Sequence, residues 1–149
     1  MCGILKIINN MILTKTTEYA VRVLTFMASK KHEQQSFSAT YLHQELGIPY
    51  KYLTRLLTDL AKQDLLLSIR GRGGGFFIEK QLNEITLSQI VEAVEGMDSF
   101  NACILGFKEC SSENPCALHF IWEENKKNFI KMLEETTLED IRQQKIKRF

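Results

Sequence analysis

Three of the chain's four cysteines and one of its three histidines fall within the stretch "CILGFKECSSENPCALH", residues 103–119. Six residues separate Cys103 from Cys110, five separate Cys110 from Cys116, and two separate Cys116 from His119. The thiolate is the metal-binding and nucleophilic form of cysteine. A cluster of this kind can therefore ligate zinc, hold an iron-sulfur cluster or act as a thiol–disulfide switch. Tight structural zinc sites usually pair ligands about two to four residues apart, and here only Cys116 and His119 are that close. Longer gaps suit a backbone that wraps a larger object than one ion, with three thiolates and a fourth position left to another residue. Gly106, Ser111, Ser112 and Pro115 keep the stretch irregular, as wrapping requires. Spacing ranks an iron-sulfur cluster first, zinc second and a thiol switch third. His119 taken alone reads as an ordinary histidine at a helix start, and Cys2 carries no expected role. Cys116 and His119 could also be a nucleophile and its base. No orienting acid or oxyanion pocket is legible near them, so an enzyme is not expected.

A loop of this kind needs a scaffold. The 149 residues are 44% hydrophobic and 25% charged, the balance of a soluble globular domain or of two small units sharing a core. No apolar run approaches the roughly 18 residues of a membrane span. The opening "MCGILKIINN" is interrupted by Lys6, Asn9 and Asn10 and has no small-residue cleavage site, so it does not read as a signal peptide. The expectation is a cytoplasmic protein with no membrane partner, in which cysteines stay reduced and free to bind metal. The formal net charge is only +1, but it is unevenly spread. Residues 1–80 carry eleven Lys and Arg against six Asp and Glu, and residues 81–149 carry eight against twelve. A basic front and an acidic back fit a chain whose front half meets a polyanion.

The front half explains how. Residues 14–31 predict a helix with Ala20, Leu24, Met27 and Ala28 on one face. Ser38 caps a short second helix that Gly47 ends, and Pro49 stands where a first helical residue belongs. In the third helix Leu53, Leu56, Leu57, Leu60 and Ala61 form a buried stripe, while Lys51, Thr54, Arg55, Thr58 and Lys62 face outward. Two helices joined by a short turn containing Gly, the second with a basic hydroxylated face, make a helix-turn-helix. "LLLSIR" and "FFIEK" flank the tip "GRGGG" and predict a hairpin wing bearing Arg70 and Arg72. No GK[ST] or helix follows that tip, so it is not a nucleotide-binding loop. The predicted DNA-contacting set is Ser38, Tyr50, Lys51, Thr54, Arg55, Thr58, Arg70 and Arg72.

Behind the wing, Thr86 and Gln89 predict a boxed helix closed by Gly96, and Thr137 with Asp140 predicts a short last one. Between them a long helix carries Leu118, Ile121 or Trp122, Asn125, Phe129 and Met132 at near-heptad spacing. That stripe could pair with a second subunit, Asn125 setting the register, or pack on its own chain. The fold class is mainly α: a winged helix-turn-helix with a small β-hairpin wing and a long C-terminal dimerisation helix. The domains read as an N-terminal extension (1–10), a DNA-binding unit (11–80) and a cluster loop with dimerisation helices (81–149).

Taken together, "LTKTTEYAVRVLTFMA", "LGIPYKYLTRLLTDLAKQDLLLSIRGRGGGF", "ITLSQIVEAVEG" and the Cys–Cys–Cys-x-x-His loop resemble the Rrf-two family of bacterial winged-helix regulators. The resemblance runs from about Met11 to Gln143. It implies a homodimeric transcriptional regulator, commonly a repressor, that binds a pseudo-palindromic operator in double-stranded DNA. It also implies an iron-sulfur cluster, two-iron or four-iron, on Cys103, Cys110 and Cys116, sensing nitric oxide, redox state or iron-sulfur status. In IscR-like members a histidine just after the third cysteine completes the site, which maps onto His119. In NsrR-like members a carboxylate of the partner's first helix does, which maps onto Glu18, a glutamate where aspartate is common. The first cysteine gap is one residue longer than the family's usual five. The alternative is a winged-helix regulator with structural zinc or a thiol switch in the loop.

Overall fold

The computed structural model describes residues 13–144; the expected extension at 1–10 lies outside them. Regular structure runs in the order α1 (Lys15–Lys30), α2 (Ala39–Leu46), α3 (Tyr50–Lys62), β1 (Leu67–Ile69), β2 (Gly75–Phe77), α4 (Leu87–Val94), α5 (His119–Glu135) and α6 (Leu138–Gln143). Short 3-10 turns lie at Leu82–Glu84 and Asp98–Asn101.

The helices start and stop where side chains can satisfy their free backbone groups. Thr14 accepts from the Thr17 amide at the head of α1, and Ser38 does the same for Tyr41 at α2. Gly47, at φ +65°, closes α2 in the left-handed region. Pro49 stands one place earlier than expected, outside α3 as its N-cap, with ψ 129°. There its extended backbone turns the chain out of the Gly47 bend, and its carbonyl accepts from Leu53 at 2.9 Å. The stripe Leu53, Leu56, Leu57 and Leu60 is fully interior and meets Ala20, Val23, Leu24 and Met27 of α1 in one core. Each such leucine contributes roughly 1.5–3 kcal/mol by leaving water.

The wing strands are three residues each, paired Leu67 to Phe77, Ser68 to Phe76 and Ile69 to Gly75. They are shorter than the apolar runs that announce them, because Leu65, Leu66 and Ile78 turn into the core instead. Phe37 adds an unforeseen bridge. Its amide donates to Phe76 O at 3.0 Å, and the Phe76 amide donates back to Phe37 O at 2.9 Å. The Ser36 hydroxyl donates to Gly74 O at 2.8 Å. Gly75, at φ +141°, sits in this junction, where a Cβ would lie 2.6 Å from Ser36 Oγ and 2.9 Å from Phe37 O. Gly75→Ala is expected to cost about 1–3 kcal/mol through backbone strain. A melting curve should fall, and a DNA titration should weaken with the α3 surface intact.

Behind the wing, Thr86 and Gln89 form the expected capping box of α4, and Thr137 with Asp140 that of α6. Backbone bonds from Leu87 to Thr136 O (2.9 Å) and from Leu138 to Ile85 O (2.7 Å) fold α6 back beside α4, and α6 also packs on α1. Among its seventeen residues α5 buries only Leu133. Its expected stripe therefore divides. Phe129 rests on Phe100 of its own chain, ring centres 5.4 Å apart, while Phe120 (65%), Ile121 (63%) and Met132 (49%) stay exposed. Asn125 donates back to Ile121 O at 2.8 Å, within its own helix. No helix among the described residues is long and apolar enough to cross a membrane.

Candidate metal centre and nucleic-acid interface

The helix-turn-helix presents one polar face. Lys51, Arg55 and Thr58 are exposed, Thr54 is half-buried, and Tyr50 keeps 48% of its surface. The Arg55 side chain is 88% exposed, and its Nε lies 4.0 Å from Asp59. Thr54 and Thr58 donate their hydroxyls to Lys51 O (3.0 Å) and Thr54 O (2.8 Å), leaving their oxygen lone pairs outward as acceptors. Ser38 uses an oxygen lone pair as a helix cap but stays exposed with its proton free to donate. Arg70 and Arg72 flank Gly71 at the wing tip, both exposed. Tyr52, which the sequence did not single out, ties this face to α1. Its ring meets Tyr19 edge-on at 5.5 Å, and its hydroxyl bonds Thr16.

The cysteine stretch forms a loop between the second 3-10 turn and α5. Its three thiols converge: the Sγ atoms of Cys103, Cys110 and Cys116 all lie within 4.8 Å of one another. Cys103 and Cys116 are 3.7 Å apart, and none of the three is in a disulfide. His119 opens α5, and its Nδ1 is 3.2 Å from Cys110 Sγ. Its Nε2 is buried with no hydrogen-bond partner. The amide of His119 bonds Cys116 O at 3.1 Å and that of Gly106 bonds Cys103 O at 2.9 Å, so local turns aim the sulfurs inward. Trp122 donates its indole N–H to Ala102 O at 3.2 Å and pins the loop's entry to α5.

The thiols differ electrostatically. Burial pushes the Cys103 thiol up, but the amides of Leu105 and Phe107 and the thiols of Cys116 and Cys110 outweigh it and hold Cys103 below its ordinary value. For Cys110 the Cys116 amide pulls down, while burial and the other two thiols win and raise it. Cys103 thus ionises most readily of this pair.

This donor set suits a metal. A tetrahedral ion with metal–sulfur bonds of about 2.3 Å holds two thiolates roughly 3.8 Å apart, close to the Cys103–Cys116 spacing. His119 stands beside the third thiol as a fourth donor. Glu18 is elsewhere, exposed on the first turn of α1 and paired with Lys15 at 2.5 Å. The chain thus brings together four of its five candidate ligands. A cleft lined by the cysteines and His119 also includes Trp122, Glu123 and Lys126. Sequence reading missed these three, although the spacing of 119, 122, 123 and 126 along one helix face is the available signal.

Comparison with known proteins accords with both surfaces. Residues 13–144 match the Rrf2 family, described as an iron-dependent transcriptional regulator. The chain is 31% identical over 130 residues to the HTH-type transcriptional regulator NsrR of Oceanobacillus iheyensis, covering 87% of this chain and 88% of that one. It is 29% identical over 129 residues to the HTH-type transcriptional regulator IscR of Pectobacterium atrosepticum, covering 87% and 77%. In structure it is similar to CymR, the global cysteine regulator of B. subtilis. There the TM-score is 0.72 at 24% identity, over 88% of this chain and 95% of that one, a likeness of fold.

Proposed function

The chain belongs to the Rrf2 family of transcriptional regulators, and from that membership we propose that it is a homodimeric, cytoplasmic repressor whose operator affinity is set by an iron-sulfur cluster. It is a regulator, as its relatives are, and not an enzyme. The observation that carries the reading is the convergence of three unpaired thiols within 4.8 Å beside His119. Cys103, Cys110 and Cys116 hold the cluster, with His119 or a partner subunit's copy of Glu18 as the fourth ligand. When bound, the cluster supplies reactivity toward nitric oxide, oxidants or iron shortage. Between Cys103 and Cys116 no helix or strand holds the loop, so its thiolates could adjust to the group they would hold.

The chain's own contacts explain how the loop is heard at the DNA. α5 packs on α4, and α4 packs on both α1 and α3. The Thr17 hydroxyl bonds Glu95 just past α4, and Thr16 and Tyr19 engage Tyr52 on α3. Anything that fixes the head of α5 or the first turn of α1 therefore bears on the tilt of α3. In a dimer the two α3 helices must match half-sites about 34–36 Å apart, so a small tilt changes specific affinity. The apolar residues that α5 leaves exposed, Phe120, Ile121 and Met132, supply the dimer contact.

The test is an anaerobic preparation analysed for iron, sulfide and zinc, with visible absorption, on wild type, His119→Ala and Glu18→Ala. Iron and sulfide in the wild type support the reading, and the variant that loses them names the fourth ligand. Zinc without sulfide would favour the second reading, a structural ion, which the 3.7 Å Cys103–Cys116 spacing also suits.

A further inference from the structure

Glu123 is one helical turn beyond His119 on α5 and lines the same cleft as the three cysteines. Its Oε1 takes a hydrogen bond from Lys126 Nζ at 3.0 Å, and that lysine side chain is only 15% exposed. Its Oε2 is 3.9 Å from Lys127 Nζ, too far for a hydrogen bond, and keeps its acceptor capacity. The hydrogen bond from Lys126 first, then the charges of Lys126, Lys127 and His119, hold this carboxyl below the usual carboxylate range, so it is an anion at neutral pH.

His119 presents the complementary need. Its Nδ1 faces Cys110, which leaves Nε2 buried and without a partner. When Nδ1 takes a metal, Nε2 must carry the proton, and a buried N–H with no acceptor is destabilising because its lost hydration goes unreplaced. Metal-bound histidines almost always settle that proton on a carboxylate, carbonyl or water. Among the residues lining this cleft, the Ala102 carbonyl already accepts from Trp122, and Glu123 is the sole carboxylate and the strongest acceptor. Asn101 also lines the cleft and carries a neutral amide oxygen.

We propose that Glu123 is the positioning residue of the metal centre: it accepts the Nε2–H of His119 once Nδ1 is metal-bound, with Lys126 holding the carboxylate in place. This rests on the reading of His119 as a ligand. It makes the fourth position an assembly of three residues on one face of α5, supplied within one chain.

The experiment uses the full chain, reduced and metal-free, titrated anaerobically with cobalt(II) alone. The readouts are the cobalt–thiolate and ligand-field absorption and the affinity against a competing chelator. Wild type is expected to bind with a tetrahedral signature, and His119→Ala to lose affinity and change the ligand-field bands. Glu123→Met is expected to bind about 10–100-fold more weakly, with thiolate absorption per bound cobalt unchanged. Glu123→Gln, which keeps an acceptor without the charge, should recover part of that loss. Glu123→Met within twofold of wild type, or a comparable loss in Asn101→Ala alone, overturns the proposal. A His119→Ala protein indistinguishable from wild type refutes the ligand reading itself and the proposal with it, a pattern separable from failure at Glu123 alone.

Discussion

Alanine at Cys103, Cys110 or Cys116 should strip the anaerobically prepared protein of bound iron and sulfide and make its operator affinity indifferent to nitric oxide and oxidants. The three sulfurs are mutually within 4.8 Å, so on the proposed reading each serves as a ligand. Removing a partner in the outer shell of a metal site already costs about 10–100-fold in affinity, and removing a ligand costs more. Iron content should therefore fall to about a tenth of wild type or less. The fold should survive, because the thiols lie in a loop outside the buried cluster built on α1 to α4. Helical circular dichroism that holds while iron and sulfide disappear is the expected pair of results. A variant that keeps its iron and sulfide would remove that cysteine from the site.

The second large effect belongs to the other end of the molecule. Lys51→Ala and Arg55→Ala should each weaken operator binding by about 1–3 kcal/mol, roughly 5- to 150-fold. Both side chains are exposed on α3 while its leucine stripe is buried, so the melting temperature should move little. The salt dependence separates their roles. A residue on a phosphate weakens all sequences alike and lowers the salt slope by about 1, whereas a residue on a base relaxes preference at one position. Fluorescence anisotropy at several salt concentrations, with operator and scrambled duplexes, distinguishes them. No change in either variant would remove α3 from the interface.

Much of this is legible in the sequence. The leucine stripe of α3, the caps at Ser38, Thr86 and Thr137, and the Gly47 turn are local rules, each written within about four residues of sequence. They sufficed to announce a winged helix-turn-helix. The cysteine spacing likewise marked the loop as a candidate for metal or thiol chemistry. What the packing altered was equally physical. Hydrophobicity marked Leu65, Leu66 and Ile78 as strand, but a core and a strand draw on the same residues, and the core claimed them. Heptad spacing marked one stripe on α5, yet the neighbouring Phe100 covers Phe129 and leaves Ile121 and Met132 open.

By itself the sequence determined the helices, most of their caps and the donor types gathered in the loop, because capping, periodicity and residue type act between near neighbours. Tertiary structure alone decided what those pieces meet. The Phe37–Phe76 bridge spans thirty-nine residues and the Thr16–Tyr52 contact thirty-six, and no local pattern announces either. The same holds at the candidate metal centre. Three thiols in a flexible spacing could point anywhere; the turns at Gly106 and His119, and Trp122 reaching back to Ala102, bring them to one point. Whether His119 is a ligand or a bystander turns on where its two nitrogens face. Only the packing of α5 against the loop put one beside a thiol and left the other buried.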